Sequence, residues 1–124
     1  MTRIFLIFVA LVFVGYGVAC TVDPVLPARL AGLQILSGDG YAEMSAMYGG
    51  LQAGVGVFCL IAAFKPQLSR SALLLLVLAI GLLAATRALG ALRSDEVLTG
   101  YTWGALAFET FVTAAAAALL SRNS

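Results

Sequence analysis

The sequence predicts an all-α integral membrane protein, a single domain built as a bundle of four transmembrane helices. Three observations carry that prediction. Only 10% of the 124 residues are charged and 62% are hydrophobic, whereas a soluble domain carries roughly 25% charged residues. Polar groups that scarce cannot cover a water-facing surface, so most of the exterior faces lipid. Four apolar stretches also reach the roughly 20 residues that a helix needs to cross a bilayer. The links between them are short and hold all three prolines.

The first span is placed at about residues 4–22, from Ile4 to Val22, and contains no charge. Asp23-Pro24 and Pro27 end it, since proline cannot continue the hydrogen-bond ladder. A rival reading treats Arg3, the apolar run and Gly17-Val18-Ala19-Cys20 as a cleaved lipoprotein-type leader. Gly17 stands where such sites want a branched apolar residue, so the segment is read as a retained helix. Between Asp23 and Tyr41 the residues Leu30, Ala31, Leu33, Ile35 and Leu36 suit a short helix lying in the interface. The second span covers about 42–64 and carries only Glu43, at its start. Lys65-Pro66-Gln67-Leu68-Ser69-Arg70 reads as a tight polar turn. The third span covers about 71–92 with Arg87 inside it, and Arg93-Ser94-Asp95-Glu96 forms the next turn. The fourth covers about 101–120 with Glu109 inside it. The runs do not alternate, and a barrel strand would need only about 9–11 residues, so helices are favoured over strands.

Basic residues in the links set the orientation. Arg3, Lys65, Arg70 and Arg122 fall on one side, Arg29 and Arg93 on the other. The four-to-two split puts both termini in the cytoplasm and Tyr41, Tyr101 and Trp103 at the outer interface. A net charge of +1 with no basic tail points away from nucleic acid. There is no His, and the two cysteines are Cys20 and Cys59. No metal or cofactor is therefore expected, and the usual general base is missing. Cys20 lies near the outer end of its span and Cys59 near the inner end of the next, so they are read as small apolar fillers that do not pair.

Three ionisable residues lie in or at the edge of spans: Glu43, Arg87 and Glu109. Each costs roughly 2.5–3.5 kcal/mol at the centre of a helix in lipid unless paired or hydrated. At 1.5 Å per residue, Arg87 sits ~8 Å and Glu109 ~12 Å below the outer ends of their helices. Gln52, nine residues after Glu43, reaches a similar depth. The economical arrangement is a polar cluster of Glu43, Tyr48, Gln52, Arg87 and Glu109 in the outer half, with Arg87 pairing Glu109 and with Glu43 as a second partner. Arg suits that role because its guanidinium binds a carboxylate in bidentate fashion. The cluster reads either as a register-fixing ion pair or as a ligand pocket. A third reading leaves Glu43 and Arg87 simply snorkelling to the interface.

Gly49-Gly50-Leu51-Gln52-Ala53-Gly54 contains Gly50-x-x-x-Gly54 and Gly49-x-x-x-Ala53. Residues four apart share a helix face, so these small side chains form a groove for another backbone. Packing within the bundle and a subunit interface both use such a groove. Gly15 with Ala19, and Gly81 with Ala85, repeat the spacing on other spans.

Glu43-Met44-Ser45-Ala46-Met47-Tyr48-Gly49-Gly50, the Gly-rich helix after it, Phe64-Lys65-Pro66, Arg87 and Glu109 together resemble the family of small bacterial membrane proteins catalogued as domain of unknown function 4345. The resemblance runs from about Asp39 to Leu120. It implies a multi-pass protein of the bacterial inner membrane and no activity to carry over. The architecture is also loosely similar to DoxX-like proteins, but a shared fold does not deliver a function. Relatives often carry an Arg two residues after the Glu, where this chain has Ser45. That departure makes a pairing with Arg87 more important.

Three functional readings follow. The first is a non-enzymatic bundle that self-associates or serves a larger membrane complex, supported by the small-residue groove and minimal loops. The second binds or transports a lipid or small amphipathic molecule at the polar cluster. The third is an enzyme on a lipid-soluble substrate, with Glu43 or Glu109 as acid or base and Tyr48 as helper. Arg87 opposes the third because it would hold a neighbouring carboxylate ionised. A conduit across the membrane is disfavoured: from Val57 to Phe64 and from Leu73 to Leu83 the inner half is apolar throughout.

Overall fold

A computed structural model describes residues Met1–Arg122, and they form helices joined by short links. The elements are α1 (Thr2–Val22), α2 (Val25–Ala31), α3 (Gly38–Met44), α4 (Leu51–Phe64), α5 (Pro66–Arg93) and α6 (Gly100–Arg122). A six-residue π-helical segment, Ser45–Gly50, joins α3 to α4 without a break. Four helices are long and apolar enough to cross a membrane: Thr2–Val22, Gly38–Phe64, Pro66–Arg93 and Gly100–Arg122. The protein is thus an all-helical membrane protein. Its contacts fall into two compact units, Met1–Pro66 and the chain from Gln67 onward.

The helices overrun the apolar stretches at their ends, for a local reason in each case. Residues 66–70, expected to be a turn, form the start of α5. Proline is favoured at a first helical position, where its missing N–H would be unbonded anyway. At 28 residues α5 is about 42 Å long, more than the ~30 Å of hydrocarbon, so its polar ends reach past the lipid core. Helix α3 starts four residues before the expected Ala42 because Ser37 caps it, its Oγ accepting from the Gly40 N–H at 3.1 Å. A short helix does form in this link, but earlier than the apolar stretch around Leu33 to Leu36. It runs from Val25 to Ala31, with Pro27 tolerated in its first turn, and ends at Gly32 with φ +74°. Arg29 donates to Asp23 at 2.9 Å beside it.

In the first unit α1 and the second span run antiparallel at close range. A Cβ placed on Gly17 would lie 2.6 Å from the Ala53 nitrogen and 2.8 Å from the Gly49 carbonyl oxygen. One placed on Gly56 would lie 2.7 Å from the Val14 nitrogen and 3.0 Å from the Ala10 oxygen. Gly49 faces Thr21. The buried side of α1 is Leu6, Val9, Ala10, Phe13, Gly17 and Cys20, recurring every three or four residues. Cys20 and Cys59 are both free and fully buried. Neither is expected to react with a maleimide in mild detergent, while both label after denaturation. Rapid labelling of the folded protein would show that this helix pair opens.

In the second unit α5 buries Ala72, Leu73, Leu76 and Ile80, and α6 buries Glu109, Val112 and Ala116. Gly81 lies against Thr113, whose Cγ2 would be 3.2 Å from an added Cβ. Among the described residues Glu109 is the buried charged one, at 6% exposure.

Candidate functional site

Helix α5 brings Arg87, and helix α6 brings Glu109, into a two-point ion pair within the second unit. Arg87 Nε donates to Glu109 Oε1 and Nη2 to Oε2, each at 2.9 Å. This fork-on-fork geometry satisfies both carboxylate oxygens at once. Elementary energetics explains why the sequence folds this way: either charge alone is expensive in hydrocarbon, and each is the other's remedy. The Glu109 side chain is 8% exposed and that of Arg87 24%, so the guanidinium is the wetter partner. The Tyr101 ring lies one face away, 5.8 Å from the Arg87 guanidinium carbon, adding a cation–π contact. One turn beyond the acid, Thr113 Oγ1 donates to the Glu109 carbonyl oxygen at 2.8 Å, taking up its own polarity inside the helix.

The remaining residues of the expected cluster lie on the second span of the first unit. Glu43 is exposed in α3, Tyr48 is half-buried in the π-helical segment, and Gln52 is half-buried in α4. The π-helical segment accommodates one extra residue, which turns everything before it by about 100° relative to an unbroken α-helix. Counting at 3.6 residues per turn therefore misplaces the azimuth of Glu43 by about that much.

The four small residues of the second span divide between two faces. Gly49 is buried and Ala53 half-buried against α1. Gly50 and Gly54 are exposed, with nothing within 4 Å of a Cβ placed on either. They sit in an exposed strip with Met47, Val57 and Ile61, each 44–45% exposed. Gly56, passed over in the sequence, completes the packed face. Its signal was present, since Gly49-x-x-x-Ala53-x-x-Gly56 repeats at the three–four spacing of one helix side. Gly17 has the matching role on α1, against Ala53 and Gly49. Tyr101 lies eight residues before Glu109, about two turns, which is the spacing that puts both beside one arginine.

Among the described residues no group of three or more His, Cys, Asp or Glu side chains gathers as a metal site would require. The chemistry at hand is a carboxylate whose two oxygens are engaged and a guanidinium that is partly open beside an aromatic ring. A family model described as Domain of unknown function (DUF4345) matches residues 1–120. Comparison with curated proteins and with solved structures finds no match.

Proposed function

The chain belongs to the DUF4345 family, a domain of unknown function, and we propose that it acts as a non-enzymatic, self-associating subunit of a membrane assembly. The observation that carries this reading is the exposed strip Met47–Gly50–Gly54–Val57–Ile61 on the second span. Two glycines four residues apart, flanked by larger apolar side chains, leave a lipid-facing notch in which a second helix can approach backbone to backbone. In hydrocarbon such close packing drives association, because lipid tails and leucines are equally apolar. The opposite small-residue face is already filled by α1, so the notch is not needed for folding of the first unit.

The distribution of Lys and Arg supports both termini being cytoplasmic, and the resemblance to small bacterial membrane proteins supports a bacterial inner membrane location. Crosslinking and size measurement in mild detergent test the association. The wild type should run as a dimer or larger species, and Gly50→Ile with Gly54→Ile should shift it to monomer without lowering its thermal midpoint. A wild-type protein that is strictly monomeric and brings no partner through purification would sink the reading.

A second reading places a lipid or small amphipathic ligand at Arg87. What favours it is the partial exposure of this guanidinium beside Tyr101, deep in a span. Mass spectrometry of gently extracted protein would then show a retained amphiphile that Tyr101→Leu releases. Retention unchanged by that substitution would remove this alternative.

A further inference from the structure

One end of each helix pair carries the same arrangement of cations, and neither the ion pair nor the small-residue strip uses it. In the first unit Arg3, in the first turn of α1, donates from Nε to the Ala63 carbonyl oxygen at 3.0 Å. Its guanidinium carbon lies 5.7 Å from the centre of the Phe64 ring. In the second unit Arg70, near the start of α5, donates from Nη1 to the Leu120 carbonyl oxygen at 3.4 Å. Both arginines are exposed. Two residues beyond each acceptor carbonyl stands another exposed cation: Lys65 after Ala63, and Arg122 after Leu120. The arrangement thus arises twice, from unrelated stretches of sequence.

We infer that each unit holds at this end the headgroup of an anionic phospholipid, with Arg3 and Lys65 forming the site in the first unit and Arg70 and Arg122 in the second. Each arginine spends one nitrogen on a carbonyl, which fixes the guanidinium at the end of a span and leaves other N–H groups of its five to donate outward. That level is where lipid phosphates lie, since these helices slightly exceed the hydrocarbon thickness. Phe64, at the same helix end, is 62% exposed and offers an apolar surface to an acyl chain. Charge complementarity completes the argument. All six acids lie at Asp23, Asp39, Glu43, Asp95, Glu96 and Glu109, so residues 1–22, 44–94 and 110–124 contain none. No acidic side chain in those stretches stands beside the four cations in sequence. A purely structural role, capping the last carbonyls of α4 and α6, would account for Arg3 and Arg70. Lys65, the C-cap residue of α4, and Arg122, in the last turn of α6, also favour the helix C-termini electrostatically, but that role is indifferent to which lipid is present.

The test is a lipid titration of the full chain in detergent, read by native mass spectrometry with phosphatidylglycerol against phosphatidylcholine. Two phosphatidylglycerol molecules per chain should bind in preference to phosphatidylcholine. Lys65→Gln and Arg122→Gln should each weaken one of the two by about fivefold, the worth of one cation at an anionic surface. The pair of substitutions together should abolish the preference. The thermal midpoint, measured alongside, separates lost lipid from lost fold. Arg3→Gln with Arg70→Gln should remove the preference as well, and Arg93→Gln should leave it. Equal binding of the two lipids would overturn the inference, as would a preference surviving in Lys65→Gln/Arg122→Gln. So would millimolar inorganic phosphate displacing the lipid fully, which would mark a site for a free anion. This site does not depend on the self-association proposed above.

Discussion

Gly56→Ala should destabilise the first helix pair by about 1–3 kcal/mol, the usual cost of forcing an extra methyl into a filled contact. A larger residue there should prevent the pair from forming. The methyl would meet the Val14 nitrogen at 2.7 Å and the Ala10 oxygen at 3.0 Å. Those are backbone atoms, so relief requires moving α1 rather than turning a side chain. Gly17→Ala should behave alike, with the Ala53 nitrogen at 2.6 Å. Two competing terms decide the sign. Alanine in a helix interior is favoured over glycine by roughly 0.5–1 kcal/mol, and the steric cost exceeds that only where a backbone stands in the way. Gly54→Ala supplies the comparison, because nothing lies within 4 Å of its added carbon. It should be neutral or slightly stabilising. Thermal midpoints of the three variants in one detergent check this, and a Gly56→Ala protein as stable as Gly54→Ala would refute the close approach.

Arg87→Met should cost about 3 kcal/mol, toward the lower end of the range for breaking a buried pair from one side. The loss comes less from the missing attraction than from leaving the Glu109 carboxylate in a place where it is 8% exposed. Glu109→Leu should cost less than Arg87→Met. The orphan would then be an arginine already 24% exposed, with a long side chain able to carry its charge toward the interface. Replacing both, Arg87→Met with Glu109→Leu, should recover much of the stability, as apolar substitutes for buried pairs often do. Denaturation monitored by helix signal across the four proteins resolves the order. A double variant as unstable as Arg87→Met alone would show that the pair does more than neutralise two charges, and would point back to Arg87 as part of a binding site.

How far these features could be read from the residues depended on how much free energy each one controls. The spans and the Arg87–Glu109 pair were legible because burying a peptide group or a charge in lipid costs kilocalories, and few arrangements avoid it. The ends of α5 were not, because hydropathy marks where lipid begins and not where the backbone stops being helical. Pro66 opens a new helix instead of standing in a turn, a distinction that turns on one missing N–H. The π-helical segment at Ser45–Gly50 was also hidden. A span that is apolar on every side gives little periodic signal, so one inserted residue leaves no trace in the pattern.

By itself, then, the sequence determined the class of protein, the four long apolar helices and the two charges that must meet. Those are consequences of the solvent, which penalises every alternative regardless of detail. Only the tertiary structure decided which small residues pack: Gly49, Ala53 and Gly56 against α1, and Gly50 and Gly54 left facing outward. Both sets satisfy the same four-residue spacing. What separates them is the fit of Gly17, Val14 and Thr21 on the partner helix, a contact between residues some 30 to 40 positions apart that no local pattern encodes. The arginine bonds across 60 and 50 residues, from Arg3 to Ala63 and from Arg70 to Leu120, are of the same kind. They exist because two antiparallel helices end at the same level, and that register is set by packing alone.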